Sequence, residues 1–191
     1  MKETIIAHIQ ESIAVKQKLL EHHVEEILTA SELWIQTIRD GGKILFCGNG
    51  GSASDAQHIS TELMVRLKHS NNRPAIPALS LSTDTSLLTA CGNDYGFNEI
   101  FSRQVEGLAG PNDLLVGIST SGNSTNVMRA IETAERIGTP CMALLGGDGG
   151  KIASMVQYPL IVPHTDTARI QEAHIMIGHI LCDLTESKLY L

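Results

Sequence analysis

The sequence contains no C-x-x-C pair, no internal repeat and no low-complexity tract. Its four cysteines, Cys47, Cys91, Cys141 and Cys182, lie far apart along the chain, which argues against a disulfide framework. We expect free and mostly buried thiols in a reducing cytosol, and therefore a cytoplasmic protein.

The sequence also lacks a long apolar run and an excess of basic residues. No apolar run approaches the roughly 20 residues that cross a bilayer, and the start at Met1 lacks the apolar core of a signal peptide. A formal net charge of -7 argues against a nucleic-acid surface, which would need a basic patch. The mean hydropathy of +0.04 and the length of 191 residues indicate a soluble, globular protein with one domain.

Two helices are predicted ahead of the first strand, over residues 2–20 and 24–40, from apolar residues at helical spacing. Gly41 and Gly42 end the second of them. Because one small sheet does not need two extra helices as cover, we expect residues 1–42 to form part of an oligomer surface.

From Lys43 onward, predicted strands alternate with predicted helices. The strand candidates are short apolar runs at 43–47, 76–81, 114–118, 141–145 and 160–162. The helix candidates cover 53–67, 98–108, 123–137, a short stretch near 149–154, and about 169–189. This alternation predicts a parallel sheet with helices on both sides. Ligands of such sheets bind beyond the carboxyl ends of the strands, in the loops after residues 47, 81, 118 and 145.

Two of these loops contain residues that suit an anion. The serine loop, Ser119-Thr-Ser-Gly-Asn-Ser124, supplies four hydroxyl groups and opens a helix. A phosphate is held by several converging donors together with the free N–H groups of a helix N-terminus, so we expect an anion site here. An ordinary N-cap, which needs only one such residue, is the alternative. The glycine loop, Gly48–Ser52, lies in the same strand–loop–helix context.

The glycine loop also fits the dinucleotide-binding fingerprint, with Ala53 in the last glycine position. That fingerprint requires an acidic residue about 20 positions later, at the end of the second strand. Asp84 lies well beyond this distance and Glu62 falls inside a predicted helix, so a nicotinamide cofactor is disfavoured. A third loop of small residues, Gly146–Gly150, is as consistent with a flexible turn as with a ligand contact.

His58 and Glu62 lie four residues apart in the helix that follows the glycine loop. They share a helical face with Asp55 and Arg66, away from the apolar stripe, so a solvated charged face is one interpretation. A metal site is the other, because the face begins beside the loop and because imidazole and carboxylate groups at this spacing can bind one ion.

The last predicted helix is apolar nearly all round, which indicates burial between domains or subunits. Its polar residues Gln171, Glu172, His174 and His179 therefore need partners. We interpret His174 as a core histidine with satisfied hydrogen bonds, whereas for His179 a core role and a functional role are both left open.

The sequence resembles the sugar isomerase (SIS) domains and, more narrowly, the phosphoheptose isomerases of bacterial heptose synthesis. The motifs that carry this resemblance are Cys47-Gly-Asn-Gly-Gly-Ser52, Asp55-Ala-Gln-His58, Gly92-Asn-Asp-Tyr-Gly-Phe97, Ile118-Ser-Thr-Ser-Gly-Asn-Ser124 and Arg169-Ile-Gln-Glu-x-His174. The serine motif alone marks only the broad SIS class. The resemblance covers essentially the whole chain.

The resemblance implies a flavodoxin-like α/β/α sandwich with five parallel strands, forming a single SIS domain over residues 1–191. In this domain residues 1–42 are the N-terminal helices and residues 43–191 the α/β core.

The resemblance also implies a homotetramer with active sites at subunit contacts, no nucleic-acid or membrane partner, and one zinc ion per subunit. The implied zinc ligands are His58, Glu62, Gln171 and His179. The implied phosphate ligands are Ser119, Thr120, Ser121 and Ser124, with Ser52 nearby, and the residues along the sugar chain are Asn49, Gly50, Gly51, Asn93, Asp94 and Gln171. Ala53-Ser54 departs from the bulkier or more polar pair that is frequent in the family.

The implied reaction is an aldose–ketose isomerisation of sedoheptulose 7-phosphate, in the synthesis of lipopolysaccharide precursors. It needs one base on carbon and one acid–base on oxygen. We predict that Glu62 is the base on carbon and that His179 is the second acid–base.

The implied metal site has one geometric difficulty, which is that its ligands Gln171 and His179 lie about 12 Å apart along an unbroken helix. Either Gln171 precedes the regular helix, or the two residues reach the metal from different subunits.

Two alternatives are left open. A non-enzymatic SIS-domain tetramer that binds a replication initiator protein would have no need of the four predicted metal ligands, so their presence favours an enzyme. An isomerase for another sugar phosphate also fits, because pocket depth sets the sugar length and the spacing of motifs does not reveal it.

Overall fold

The structure, a computed structural model, describes residues 1–190 and consists of one parallel sheet between two layers of helices. In chain order the elements are α1 (Lys2–His22), α2 (Val24–Arg39), β1 (Ile44–Gly48), α3 (Gly51–Met64), β2 (Ala78–Ser80), α4 (Thr85–Asp94), α5 (Ser102–Leu108), β3 (Leu114–Ser119), α6 (Thr125–Ile137), β4 (Cys141–Gly146), β5 (Tyr158–Val162) and α7 (Thr167–Tyr190). Two 3-10 turns, Phe97–Glu99 and Ile152–Ser154, lie before α5 and before β5.

All five strands are parallel, in the order β2-β1-β3-β4-β5. This order confirms the predicted fold class. The chain runs from β1 to β2 on one side of β1 and later returns to β3 on its other side. Such a reversal leaves a crevice at the carboxyl ends of the two central strands. The glycine loop after β1 and the serine loop after β3 therefore lie next to each other.

Both faces of the sheet are buried, as the uninterrupted apolar strands predict. Ile44 and Phe46 of β1 pack with α1, α2, α3 and α7, whereas Leu45 and Cys47 pack with α4, α5 and α6. Trp34 of α2 is fully buried and meets the ring of Phe46 edge-on, with 5.4 Å between the ring centroids.

The two N-terminal helices contribute differently. Helix α2 packs against the sheet, contrary to the expectation that it is not needed as cover, while α1 buries only Val15 and Leu19. Ile5, Ile9 and Ile13 are each more than half exposed, and the predicted oligomer surface on this helix stays a prediction. No helix within residues 1–190 is both long and apolar enough to cross a membrane.

The predicted elements need several corrections, and the short helix predicted near 149–154 is the 3-10 turn Ile152–Ser154. Helix α4 was missed, although Asp84 supplies a recognisable N-cap: its carboxylate accepts the N–H of Leu87 at 2.9 Å. The predicted strand over 76–81 contracts to the three residues Ala78–Ser80. The helix predicted over 98–108 divides into the 3-10 turn Phe97–Glu99 and the short helix α5.

All four cysteines are free and buried, as predicted. Burial raises the pKa of the Cys47 and Cys182 thiols well above the ordinary value and that of Cys141 to about 12. These three thiols therefore remain protonated near neutral pH, and we assign them to packing and not to nucleophilic chemistry.

Candidate active site

Helices α3 and α7 lie side by side and run in the same direction. Gly178 of α7 is so close to Ile59 of α3 that a Cβ atom on this glycine would overlap the Ile59 side chain. About two turns later on α7, and three residues past the end of α3, the N–H of Leu67 donates to the carboxylate of Glu186. This packing places His179, the residue after Gly178, opposite the polar face of α3.

His58, Glu62 and His179 form a cluster at this contact. The Nε2 atoms of the two histidines are 2.8 Å apart, and Oε1 of Glu62 is 3.5 Å from Nε2 of His58. All three potential ligand atoms lie within 4.8 Å of one another. Two nitrogens at this separation cannot both carry protons that point at each other, so at least one presents a lone pair.

The cluster fits a metal ion. Two histidines and one glutamate are a known ligand set of catalytic zinc sites, with a fourth position open to water or substrate. A tetrahedral ion with zinc–nitrogen bonds of 2.0–2.1 Å spaces its ligands about 3.3 Å apart, close to the separations found here. The His58 side chain is about half exposed, which leaves the site accessible from solvent. A single chain supplies all three potential ligands.

Gln171 lies elsewhere on α7. The helix begins at Thr167, so the alternative that Gln171 precedes the regular helix is wrong. A Cβ atom on Gly51, at the start of α3, would overlap the side-chain amide of Gln171. Gln171 is thus packed two helical turns before His179. Its role as a fourth ligand, from this or from another subunit, stays a prediction.

A pair of asparagines joins the glycine loop to the start of α6. Asn49 and Asn126 each donate a side-chain N–H to the other's amide oxygen, both at 2.8 Å. Asn126 is buried, and the sequence reasoning missed it. The only signal in the sequence is that this polar residue follows Ser124 by two positions. The pair fixes Asn49 at the crevice between β1 and β3.

The serine loop leaves the N-terminus of α6 without a side-chain cap. Ser124 occupies the N-cap position, but within the described chain its hydroxyl makes no cap bond and instead lies 2.9 Å from the hydroxyl of Ser119. The first N–H groups of α6 therefore remain available to a ligand. The alternative of an ordinary N-cap does not describe this loop.

The third loop, Gly146–Gly150, packs beneath the serine loop. A Cβ atom on Gly122, which has a φ of +63°, would overlap the carbonyl group of Gly149. The carbonyl oxygen of Gly122 also accepts the N–H of Ile152 at 3.0 Å. These contacts indicate that Gly146–Gly150 supports the serine loop.

The remaining predicted residues lie at the same edge of the sheet or near it. Asn93 and Asp94 end helix α4, are exposed, and are hydrogen-bonded to each other at 2.8 Å. Ser52 is buried in the first turn of α3. Asp55, on the face of α3 that also carries His58, is half-buried, and its Oδ2 atom has no hydrogen-bond partner within residues 1–190. Burial raises the pKa of Asp55 to about 6, although the nearby His58 acts to lower it.

Comparison with known proteins identifies the family. The model of the SIS domain family matches residues 7–146. A phosphoheptose isomerase from Chlorobaculum parvum is 49% identical over 187 residues, which cover 97% of this chain and 90% of that protein. The chain belongs to the phosphoheptose isomerase family of SIS-domain proteins.

Two solved structures of phosphoheptose isomerases share the whole fold. The enzyme from Neisseria gonorrhoeae is 48% identical and superposes with a TM-score of 0.91, covering 97% of this chain and 98% of the other. The enzyme from Francisella tularensis, at 36% identity, gives a TM-score of 0.93 and covers 97% of both chains. The resemblance drawn from the sequence motifs is confirmed.

His174 is a core residue as predicted, but its hydrogen bonds are not all satisfied, because its Nδ1 atom has no partner within residues 1–190. It is fully buried, and its Nε2–H donates to the carbonyl oxygen of Leu145 at 2.9 Å. Burial lowers the pKa of His174 to about 4, against the raising effect of that hydrogen bond. The residue therefore stays neutral and ties α7 to the end of β4.

We expect His174 to make this protein less stable in mild acid. Its folded pKa of about 4 lies below the unfolded value of about 6.5, so only the unfolded chain takes up this proton between those two pH values. The contribution of neutral His174 to the free energy of unfolding is fully present above pH 6.5 and is lost as the pH falls to 4. At pH 5 the loss is about 2 kcal/mol. Urea unfolding at pH 7.5 and pH 5 measures it.

The matched variants are His174→Gln, which keeps an N–H donor, and His22→Gln on the exposed surface of α1. His174→Gln should remove most of the loss in the free energy of unfolding between the two pH values, and His22→Gln should not change that loss. An equal loss in the wild type and in His174→Gln would contradict the prediction.

Proposed function

We propose that this protein is a sugar-phosphate isomerase that converts sedoheptulose 7-phosphate to D-glycero-D-manno-heptose 7-phosphate. The observation that carries the proposal is the convergence of His58, Glu62 and His179 at the contact of α3 with α7, where α3 starts at the glycine loop next to the serine loop. The substrate has its reacting carbons and its phosphate at opposite ends. A site with an ionisable cluster at one end and a loop of hydroxyl groups at the other suits such a molecule. Close relationship to phosphoheptose isomerases supports the same reaction.

The phosphate would bind the serine loop, through the hydroxyl groups of Ser119, Thr120, Ser121 and Ser124. The uncapped N-terminus of α6 adds backbone N–H donors and the positive end of the helix dipole. The hydroxyl groups of Ser119 and Ser124 already lie side by side, within hydrogen-bond distance of each other.

The sugar chain would lie along the glycine loop. Gly50 adopts a φ of +55°, which only glycine accommodates without strain, and open space beside it leaves room for the substrate. Gly51 would line the sugar chain through its backbone, because the amide of Gln171 already occupies the place of a side chain there. Asn49, held by Asn126, would donate to a sugar hydroxyl. Asn93, Asp94, Ser52 and Gln171 complete the proposed contacts.

Glu62 would take a proton from C1 of the ketose and return it to C2 by way of an enediol. His179 would transfer the second proton from the oxygen on C1 to the oxygen on C2. For Glu62 to act as a base, one of its two carboxylate oxygens must stay free of metal. Zinc, held by His58, Glu62, His179 and the predicted fourth ligand Gln171, would supply a Lewis acid that polarises the substrate oxygens.

The test of this function is turnover of sedoheptulose 7-phosphate in a coupled assay. Sedoheptulose without its phosphate should react far more slowly, because the contacts of the serine loop are lost. Faster turnover of a shorter sugar phosphate would replace the substrate and keep the reaction class. Tight binding to a replication initiator protein with no turnover of any sugar phosphate would instead establish the non-enzymatic alternative.

We propose that the protein is a homotetramer with active sites at subunit contacts. The exposed isoleucines on α1 support a subunit interface, because such an apolar stripe is stable in water only when covered. Sedimentation velocity should give a mass about four times that of the 20.6 kDa chain. The double change Ile9→Asp and Ile13→Asp should lower this mass, whereas Lys16→Asp, with an exposed side chain on the same helix, should do so less. A wild-type monomer at micromolar concentration would contradict the proposal.

A further inference from the structure

Arg73 is a buried arginine between α3 and β2 that has no part in the chemistry proposed above. Its side chain is 2% exposed. One terminal nitrogen, Nη2, donates to the carbonyl oxygen of Glu62, and the other, Nη1, donates to those of Leu63 and Pro74, all at 2.9 Å. Its Nε atom lies 2.9 Å from Oε2 of Glu186. The guanidinium group thus contacts the helix that carries His58 and the helix that carries His179.

The contacts on α3 are those of a helix cap. The last carbonyl groups of a helix have no intrahelical partner, and α3 ends at Met64. Arg73 satisfies the carbonyl groups of Glu62 and Leu63, and its positive charge lies at the negative end of the helix dipole. The backbone of Glu62, whose side chain belongs to the candidate metal site, is therefore held by Arg73.

The contact on α7 is a buried carboxylate with several donors. The side chain of Glu186 is 1% exposed and accepts hydrogen bonds from the N–H of Leu67 and from the amide of Asn71. Burial acts to raise the pKa of Glu186, but the hydrogen bonds from Asn71 and Leu67 and the ion pair with Arg73 outweigh this effect and lower it. Glu186 is therefore ionised and pairs with Arg73. It lies seven residues, about two turns, after His179 on α7.

A buried ion pair is a poor source of stability, because the cost of removing both charges from water offsets their attraction. The pair instead fixes the position of α3 relative to α7. Its planar guanidinium group fixes two carbonyl groups of α3 relative to one carboxylate of α7. A slide of one helix along the other would break these contacts and separate His58 and Glu62 from His179.

We propose that Arg73 and Glu186 are positioning residues that set the register of α3 against α7 and thereby assemble the metal ligands. This inference rests on the proposed metal binding by His58, Glu62 and His179. It assigns to the pair no contact with substrate and no proton transfer.

The experiment is titration of the metal-depleted protein with Zn²⁺, in competition with a chromophoric chelator. Arg73→Met and Glu186→Gln should each weaken zinc binding by about 10- to 100-fold, the usual effect of removing groups that orient metal ligands. Arg73→Lys, which keeps the charge but loses the planar fork, should give an intermediate loss. If Arg73→Met does not fold, the double variant Arg73→Gln and Glu186→Gln replaces the pair by neutral groups and is titrated in its place.

The matched control is the ion pair of Lys43 and Asp113, at 2.6 Å, which joins the starts of β1 and β3. Lys43→Met should lower the melting temperature and leave the zinc affinity unchanged. Zinc affinity that is unchanged in a folded Arg73→Met protein, or equally reduced in Lys43→Met, would overturn the inference. A wild type that binds zinc no better than His179→Ala would overturn the metal site itself. The two failures can therefore be told apart.

Discussion

Replacement of Glu62 by glutamine should lower kcat by about 10³-fold, within the range expected for loss of a general base. Glutamine has nearly the same shape but cannot accept a proton from carbon. In D₂O the wild type should introduce deuterium at C2 of the product, and Glu62→Gln should do so slower by about the same factor as its kcat. Product formation is followed by the coupled assay and deuterium entry by NMR.

Because Glu62 is also a proposed metal ligand, both proteins must be assayed at saturating Zn²⁺ with the bound metal measured. The control is Glu106→Gln on α5, where the glutamate is exposed and, within residues 1–190, forms an ion pair only with Arg103 of the same helix. This variant should retain wild-type kcat. Undiminished exchange at C2 in a zinc-loaded Glu62→Gln protein would remove Glu62 from the role of base.

Removal of the metal should have the second largest effect. A bound ion that polarises the reacting oxygens contributes several kcal/mol to the stabilisation of developing charge, so dialysis against a chelator should reduce turnover by about 100-fold or more. Added Zn²⁺ should restore the activity of the wild type but not that of His58→Ala, which lacks one of the three clustered ligands. Elemental analysis before and after dialysis reports the metal content.

The oligomeric mass and the circular dichroism spectrum should be unchanged by dialysis, because the cluster lies at one contact between α3 and α7 while the sheet and its two apolar layers hold the fold. Full turnover by protein shown to be metal-free would contradict the metal role and leave Glu62 and His179 as unaided acid–base groups.

The parts of the fold that follow from local patterns were predicted well. The three central strands β1, β3 and β4 are apolar runs buried along their whole length, and a pattern of this kind is visible in the sequence without knowledge of its neighbours. Strands β2 and β5 are the two edges of the sheet, and β2 extends over only the three residues that pair with β1. Pairing at an edge depends on the partner strand, so its extent could not be derived from composition.

Helix α4 was missed for a different reason. It is only ten residues long and fully buries only Cys91, with Leu87 and Leu88 partly buried beside it, so its apolar stripe is too short to stand out in the sequence. Its N-cap, Asp84, was considered only as a candidate ribose ligand. A search for caps as well as for periodicity would have placed both this helix and the exposed residues Asn93 and Asp94 at its end.

The candidate site was predicted as a set of residues, but not as a geometry. Asn126 and Arg73 were both absent from the prediction, because their importance comes from contacts with residues distant in the chain. Asn126 meets Asn49 across 77 positions, and Arg73 meets Glu186 through a buried ion pair. No spacing rule relates such residues.

By itself the sequence determined the parallel α/β architecture, the two ligand loops at the carboxyl ends of β1 and β3, the buried free thiols and the family. These properties depend on local periodicity and on short motifs. Only the tertiary structure decided that His58 and His179, 121 residues apart, face each other in one chain and that Gln171 packs against Gly51. The reason is physical: helical periodicity predicts which face of α3 and of α7 is polar, but the close packing at Gly178 and the contacts at Glu186 determine which turns of the two helices meet.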